Sequence, residues 1–131
     1  MIEQARAKKI PGAVFVVGDC ENFPFEDNSF DAIICSNSFH HYPDPQAFFD
    51  SVKRCLRPGG RLVLRDVTSA SKLFVWLMDK IELPLANLCG HGDVKIATRE
   101  TVVACCNNAG LKVEKFEIRK GMRMHCVVRK V

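Results

Sequence analysis

Three short apolar runs set the hydrophobic pattern in the first half of the chain. They cover residues 13–17, 32–35 and 62–64, and each is followed by polar residues. Continuous apolar runs of this length are typical of strands that are buried on both faces. We therefore predict a strand, loop, strand, helix, strand order. Two parallel strands joined by a crossover helix form the unit of an open α/β sheet.

The segment between the second and third runs predicts a helix with defined ends. Asp44 suits the N-cap and Pro45 suits the first helical position. Apolar residues then recur at helical spacing, at Phe48, Phe49, Val52, Cys55 and Leu56. The following Pro-Gly-Gly sequence, residues 58–60, predicts the end of the helix and a reversal of the chain before the third strand.

Helices are also predicted at both sides of this unit. Residues 1–9 are good helix formers and end at Pro11-Gly12. Residues 69–88 predict a broad apolar helix, interrupted by Pro84, that either covers the strand ends as a lid or packs in the core.

The C-terminal third predicts one more helix and two strands. Thr98 suits the N-cap of that helix. Residues 111–119 and 122–131 predict two strands that pair as an antiparallel hairpin. The apolar alternation of the first of them slips near Glu114-Lys115, which predicts a bulge there.

Composition and charge narrow the class of protein. With 131 residues, 47% of them hydrophobic and 26% charged, the chain is predicted to be one domain spanning residues 1–131. The net charge of +4 is scattered, which disfavours a nucleic-acid partner. No apolar run reaches the ~20 residues of a membrane span, and no signal peptide is evident. Seven cysteines without a Cys-x-x-Cys pair predict reduced thiols in the cytoplasm and no metal site.

The polar residues that follow the apolar runs make up the candidate site, because ligands of open α/β sheets bind at the carboxyl ends of the strands. They are Asp19 and Cys20 after the first run, Ser36, Asn37, Ser38, His40 and His41 after the second, and Arg65 and Asp66 after the third. Asp19 is equally explained as a turn residue that caps nearby N–H groups.

The histidines are candidate bases, since their ordinary pKa lies near neutral pH. His40 and His41 are adjacent, and adjacent side chains of an extended segment point in opposite directions, so at most one is expected to face a given site. Packing or loop hydrogen bonds would also explain the pair. His91 lies between two glycines in a loop, where a solvated histidine is an ordinary finding.

Four stretches carry a family resemblance. GDCENFPF at residues 18–25, NSFD at 28–31, HHYPD at 40–44 and LRPGG at 56–60 occur in this order. The set resembles the class I S-adenosylmethionine-dependent methyltransferases, and most closely their small-molecule branch, which includes the ubiquinone and menaquinone biosynthesis type. The resemblance implies a Rossmann-like α/β fold, with parallel strands followed by a C-terminal antiparallel hairpin.

The resemblance also implies the cofactor S-adenosylmethionine and a small-molecule methyl acceptor. Asp19 would hydrogen-bond the adenine amino group, and Cys20 would offer its backbone N–H to the ring. The loop with Ser36, Asn37, Ser38 and His41 would line the methionine and sulfonium end. His40, His41 and His91 remain the candidate catalytic bases, and the sequence does not identify the acceptor.

The chain departs from the family pattern at its beginning. No glycine-rich loop precedes Gly18, and residues 1–9 resemble the family's helix after the second strand. The chain is therefore predicted to be an incomplete domain without the first two strands. In the family these lie between the strand at 13–17 and the strand at 32–35. Their absence would expose an apolar sheet edge, which predicts a homodimer or a new strand pairing there.

Two other functions compete with methyl transfer. A non-catalytic binding or scaffold module would keep the fold without holding the cofactor. A dinucleotide-dependent oxidoreductase on a related sheet would require Gly-x-Gly-x-x-Gly and a Tyr-x-x-x-Lys pair. The only tyrosine, Tyr42, is followed four positions later by Gln46, so this class is disfavoured.

Overall fold

A computed structural model of the chain describes residues 2–69, 71–88, 95–120 and 122–131. Its elements, in chain order, are α1 (Ile2–Ala7), β1 (Phe30–Ser36), a 3₁₀ turn (Phe39–His41), α2 (Pro45–Cys55), β2 (Leu56–Val67), α3 (Lys72–Leu77), a π-helical turn (Met78–Glu82), α4 (Leu83–Leu88), α5 (Arg99–Asn108), β3 (Leu111–Arg119) and β4 (Arg123–Lys130).

The four strands form one open sheet in the order β1-β2-β4-β3. β1 and β2 are parallel and α2 connects them, as predicted. β3 and β4 form the predicted antiparallel hairpin. Their register shifts between Val113 and Lys115, which confirms the bulge at Glu114. The mixed α/β architecture is that of a Rossmann-like sheet ending in an antiparallel hairpin.

The predicted strand at residues 13–17 is wrong. This segment has no regular secondary structure and pairs with no strand among the described residues. Val14 is 86% exposed and Val17 is 76% exposed, so the apolar run is not buried. A strand needs a neighbour to satisfy its backbone N–H and C=O groups, and among the described residues β1 has a neighbour, β2, on one side. The predicted new strand pairing within the chain, which would have covered the other side of β1, is therefore not formed among the described residues.

Helix α2 begins where it was predicted to begin, because its start is specified locally, but it ends at Cys55, before the predicted stop at residues 58–60. The side chain of Asp44 accepts a hydrogen bond from Ala47 N at 3.1 Å, and Pro45 opens the helix. The apolar face of α2 is buried against the sheet, through Phe48, Phe49, Val52 and Cys55. It meets Leu62 and Leu64 of β2 in a single core.

Residues 58–60, which were predicted to reverse the chain before the third strand, are part of that strand. β2 begins at Leu56, directly after α2, and runs through all three residues. A register shift against β1 between Phe30 and Ala32 accommodates this early start. At Gly60 an added Cβ would lie 2.9 Å from Arg57 O and 3.1 Å from Asp31 O, so the strands approach each other at a position that only glycine allows.

The predicted helix at residues 69–88 is present in three parts. Regular α-helix gives way to a π-helical turn at Met78–Glu82, just before Pro84, whose ring prevents an ordinary helical hydrogen bond. Its apolar side chains are exposed in the described chain, at Leu73, Trp76, Ile81, Leu85 and Leu88. The expectation of core packing is therefore wrong for these residues, and the lid role stays a prediction.

Candidate active site

The loop that follows residues 13–17 contains the predicted adenine-binding residues. An added Cβ at Gly18 would lie 2.6 Å from Pro24 Cγ, so this turn requires glycine. Asp19 Oδ1 accepts a hydrogen bond from Glu21 N at 2.9 Å, which is the turn-capping role considered above. A cavity of about 160 Å³ opens beside them, lined by Val16, Gly18, Asp19, Cys20, Phe23, Pro24 and Phe25.

Helix α2 holds this loop in place. Ser51 Oγ donates to Glu21 O at 2.9 Å, and Asp44 N donates to Glu21 Oε1 at 2.8 Å. The guanidinium of Arg54 donates to the carbonyls of Phe23 and Phe25, both at 2.6 Å. The position of the loop at residues 18–25 is therefore set by the crossover helix.

Tyr42 contacts the end of β1 and the loop that follows it. Its hydroxyl lies 3.0 Å from Ser38 Oγ and 3.6 Å from Cys35 Sγ. The Cys20 thiol lies near this hydroxyl, and burial raises the pKa of the Cys20 and Cys35 thiols. Burial likewise raises the pKa of Tyr42, so its hydroxyl keeps its proton near neutral pH. The structure thus gives the predicted residue Ser38 a hydrogen-bond partner that the sequence had not assigned to the site.

The loop after β1 begins at the carboxyl edge of the sheet. Ser36 and Asn37 are exposed there, and Asn37 takes a left-handed conformation with φ of 53°. Asn37 N donates to Arg65 O at 2.8 Å, which fixes the loop against the end of β2. Both residues therefore lie at the edge where the sequence placed them.

The two adjacent histidines occupy a 3₁₀ turn rather than an extended segment. Their ring centroids are 4.0 Å apart, so the expectation that the two side chains point in opposite directions is wrong. His40 Nδ1 lies 2.6 Å from Asp66 Oδ1. His91 lies outside the described residues.

A larger cleft of about 970 Å³ lies between α1, residues 14–18 and the start of β1. Its walls are mainly apolar, with Ile2, Ala5, Val17 and Phe30 among them, and no carboxylate lines it. Asp19 and the apolar cavity beside it offer what an adenine ring requires, an acceptor for its amino group and flat apolar walls. The residues that the structure describes fit the adenine end of S-adenosylmethionine, and this cleft offers no acidic partner for a ribose diol.

In the described part of the chain, no group of three or more His, Cys, Asp or Glu side chains is arranged to hold a metal ion. No helix among these residues is long and apolar enough to cross a membrane.

Comparison with known sequences agrees with the resemblance. A family model described as a methyltransferase domain matches residues 1–64. The phthiotriol/phenolphthiotriol dimycocerosates methyltransferase 1 of Mycobacterium ulcerans is 41% identical over 83 residues, covering 63% of this chain and 31% of that protein. The corresponding Mycobacterium leprae protein is 42% identical over 71 residues, covering 54% of this chain and 26% of that protein. The chain thus spans about a third or less of the length of these relatives.

Solved structures share the fold. An S-adenosylmethionine-dependent methyltransferase from Mesorhizobium loti superposes with a TM-score of 0.77 at 18% identity, covering 99% of this chain and 76% of that one. A methyltransferase from Methanosarcina mazei gives a TM-score of 0.75 at 18% identity, covering 99% and 77%. The chain thus resembles methyltransferase domains in sequence over residues 1–64, and it shares the Rossmann-like fold of S-adenosylmethionine-dependent methyltransferases.

Proposed function

We propose that this chain forms the adenine-binding and acceptor side of an enzyme that transfers a methyl group to a small-molecule acceptor. The observation that carries the proposal is the 2.8 Å hydrogen bond from Asp44 N to Glu21 Oε1, which ties the loop that contains Asp19 and Cys20 to the segment that follows the Ser38 loop. Two segments that the resemblance assigns to opposite ends of the cofactor are thereby held in one site.

The residues have separate roles in this proposal. Asp19 accepts from the adenine amino group, and Cys20 presents its backbone N–H to the ring. The methionine end is lined by the loop after β1, with Ser36, Asn37, Ser38 and His41. The bound cofactor supplies an electrophilic methyl group, so the chain's main task is to position the acceptor and to exclude water.

The acceptor is proposed to be a small molecule. The mycobacterial relatives are named for phthiotriol and phenolphthiotriol dimycocerosates, which supports this class without naming the acceptor of this chain. Assignment to the ubiquinone and menaquinone branch stays a prediction, as does a cytoplasmic location.

Titration calorimetry with S-adenosylhomocysteine tests the cofactor site. We expect micromolar binding that Asp19→Ala abolishes, because the variant removes the acceptor for the adenine amino group. Asp50→Ala is the matched control, since Asp50 is an exposed carboxylate on α2 that bonds Gln46. A folded chain that binds no S-adenosylhomocysteine would contradict the proposal and favour the non-catalytic binding or scaffold module.

The proposed partner at the edge of β1 that no described strand covers is a second copy of the chain. Val14, Val17 and Ile34 expose apolar side chains there, Ile34 by 73%. An unpaired strand edge with apolar neighbours is a template for pairing with another strand. A structural neighbour from Haloferax volcanii was solved in complex with the Trm112 activator protein, so a different protein partner is the other outcome to examine.

Sedimentation velocity tests the homodimer. We expect a dimer that Ile34→Lys dissociates, because the charge would be buried at the paired edge. Val131→Lys places the same charge at the exposed C-terminal residue and should leave the dimer intact. A monomer at high concentration in the unsubstituted chain would refute this partner.

A further inference from the structure

Residues 72–88 turn one apolar face away from the body of the protein. α3, the π-helical turn and α4 follow one another in this segment without a break. Its exposed positions, among the described side chains, are spaced alternately three and one apart, which is the spacing of one face of a helix. They are Leu73, Trp76, Leu77, Lys80, Ile81, Pro84, Leu85 and Leu88. Six of these eight side chains are large and apolar, so they form a continuous exposed surface.

The π-helical turn keeps this apolar face on one line. A four-residue repeat drifts by about 40° per turn on a regular α-helix, which has 3.6 residues per turn. A π-helical turn holds more residues, because its hydrogen bonds join residues five apart. The turn at Met78–Glu82 lies in the middle of the segment and takes up the drift. Leu73 and Leu85, near the two ends, therefore lie on the same side.

The opposite side of the segment is attached to the body. Phe74 and Met78 are half-buried there. Asp79 Oδ1 accepts a hydrogen bond from the backbone N–H of the buried Ile96 at 3.3 Å. Ser71 Oγ accepts from Phe74 N at 3.2 Å and caps the start of α3. The carboxylate of Asp79 is therefore directed toward the body, and the segment is held with its apolar face outward.

Basic side chains accompany the apolar face. Lys80 is exposed within it. The connection from β3 to β4 lies beside the entry to the segment, since Thr68 N donates to Met122 O at 2.8 Å. Lys120 and Arg123 are exposed at this connection, together with the apolar side chain of Met122. Exposed apolar side chains with neighbouring cations are the combination by which helices lie on anionic lipid surfaces.

We propose that residues 72–88 dock on the surface of an anionic lipid bilayer. The apolar face enters the boundary between headgroups and acyl chains, while Lys80, Lys120 and Arg123 face the lipid phosphates. Trp76 suits this depth, because its ring is apolar and its Nε1–H takes a polar partner. A second copy of the chain is disfavoured as the occupant, since it would bring the same cations together. The contact is peripheral and does not depend on the proposed function.

The fluorescence of Trp76 tests this docking in the unsubstituted chain, because Trp76 is its only tryptophan. The probes are vesicles of phosphatidylcholine and phosphatidylglycerol in equal amounts, and vesicles of phosphatidylcholine alone. We expect the mixed vesicles to shift the emission to shorter wavelength, because the ring leaves water. The shift should shrink at high salt, where the headgroup charges are screened, and with phosphatidylcholine alone. An emission that the mixed vesicles leave unchanged would overturn the proposal.

Flotation with the mixed vesicles compares two substitutions that change the charge equally. Leu85→Asp places a carboxylate on the apolar face and should weaken binding by roughly tenfold or more. Ile10→Asp makes the same change outside the segment, at a side chain that is 51% exposed against 59% for Leu85, and should weaken binding far less. Circular dichroism checks that both variants keep the fold. Equal losses would show that net charge alone drives binding and would overturn the docking face.

Two other occupants of the apolar face give different results. A second copy would shift the Trp76 emission as the protein concentration rises, with no vesicles present. Closure of the segment as a lid over the strand ends would shift it when S-adenosylhomocysteine is added, again without vesicles. Either shift, with none caused by vesicles, would overturn the proposal. A chain that binds no S-adenosylhomocysteine is still expected to bind the mixed vesicles, so failure of the proposed function and failure of the docking are distinguishable.

Discussion

The hydroxyl of Tyr42 lies 3.0 Å from Ser38 Oγ, and this hydrogen bond closes the turn that follows β1. Tyr42 and Ser38 are four positions apart, and the hydroxyl also lies 3.6 Å from the buried thiol of Cys35. A single hydroxyl thus bridges the end of β1 and the turn that follows it.

Removing this hydroxyl should loosen the site. Tyr42→Phe keeps the ring packing on Phe39 and Phe48 but leaves Ser38 without its phenolic partner, so the free energy of unfolding should fall by about 1 kcal/mol. Urea unfolding measures it. The double variant with Ser38→Ala should lose less than the sum of the single losses, and strict additivity would show that the two hydroxyls do not interact.

The N-cap of α2 should contribute measurably to the free energy of unfolding. Asp44→Ala removes the acceptor for Ala47 N and should lower the free energy of unfolding by about 1 kcal/mol. Asp44→Asn retains a side-chain oxygen and is the matched control, with an expected loss of a few tenths of a kcal/mol. Equal losses in thermal or urea unfolding would show that the carboxylate charge, and not the cap, is what matters.

Because β1 and β2 approach closely at Gly60, we expect that a side chain at this position is not tolerated. Gly60→Ala would place its Cβ 2.9 Å from Arg57 O, so the backbone must shift, at a cost of about 1–3 kcal/mol. Gly59→Asn is the comparison, because Gly59 has φ of +79° with nothing within 4 Å of an added Cβ, and asparagine tolerates that conformation. A stability loss at Gly59 larger than at Gly60 would contradict the strand geometry.

Buried thiols should make the fold sensitive to alkali. Burial raises the pKa of Cys106 from 9.0 to about 12 and that of Cys126 to about 11. Because these folded-state values exceed the unfolded one, the unfolded chain loses thiol protons first as the pH rises. The stabilisation is complete below pH 9.0 and is lost as the pH rises toward 11–12.

The free energy of unfolding at increasing pH checks this expectation. Cys106→Ala should flatten the decline above pH 9.0, since one titrating group is removed. Val102→Ala on the same helix is the control, because it removes buried apolar volume and no titrating group. It should lower stability at every pH without changing the slope. An unchanged slope in Cys106→Ala would place the alkaline sensitivity elsewhere.

Much of the architecture could be predicted from residues that are close together in the sequence. The Asp44-Pro45 start of α2, its apolar spacing and the Thr98 cap are set by residues within one helical turn, and the structure reproduces all three. The alternation of apolar and polar residues in β3 slips at Glu114, and this local change predicted the bulge there. Each of these features depends on neighbours in the chain, which a sequence displays directly.

Tertiary structure decided the features that depend on distant partners. Residues 13–17 have a strand's composition, but a strand forms only against another backbone, and the described chain supplies none there. His40 and His41 were expected to diverge, but the carboxylate of Asp66, 26 residues from His40, accepts a hydrogen bond from His40 N, and the turn takes a 3₁₀ conformation. The sequence determined which residues lie at the strand ends. Long-range hydrogen bonds decided how those residues face one another. These bonds join positions that are far apart in the sequence, so no local pattern predicts them.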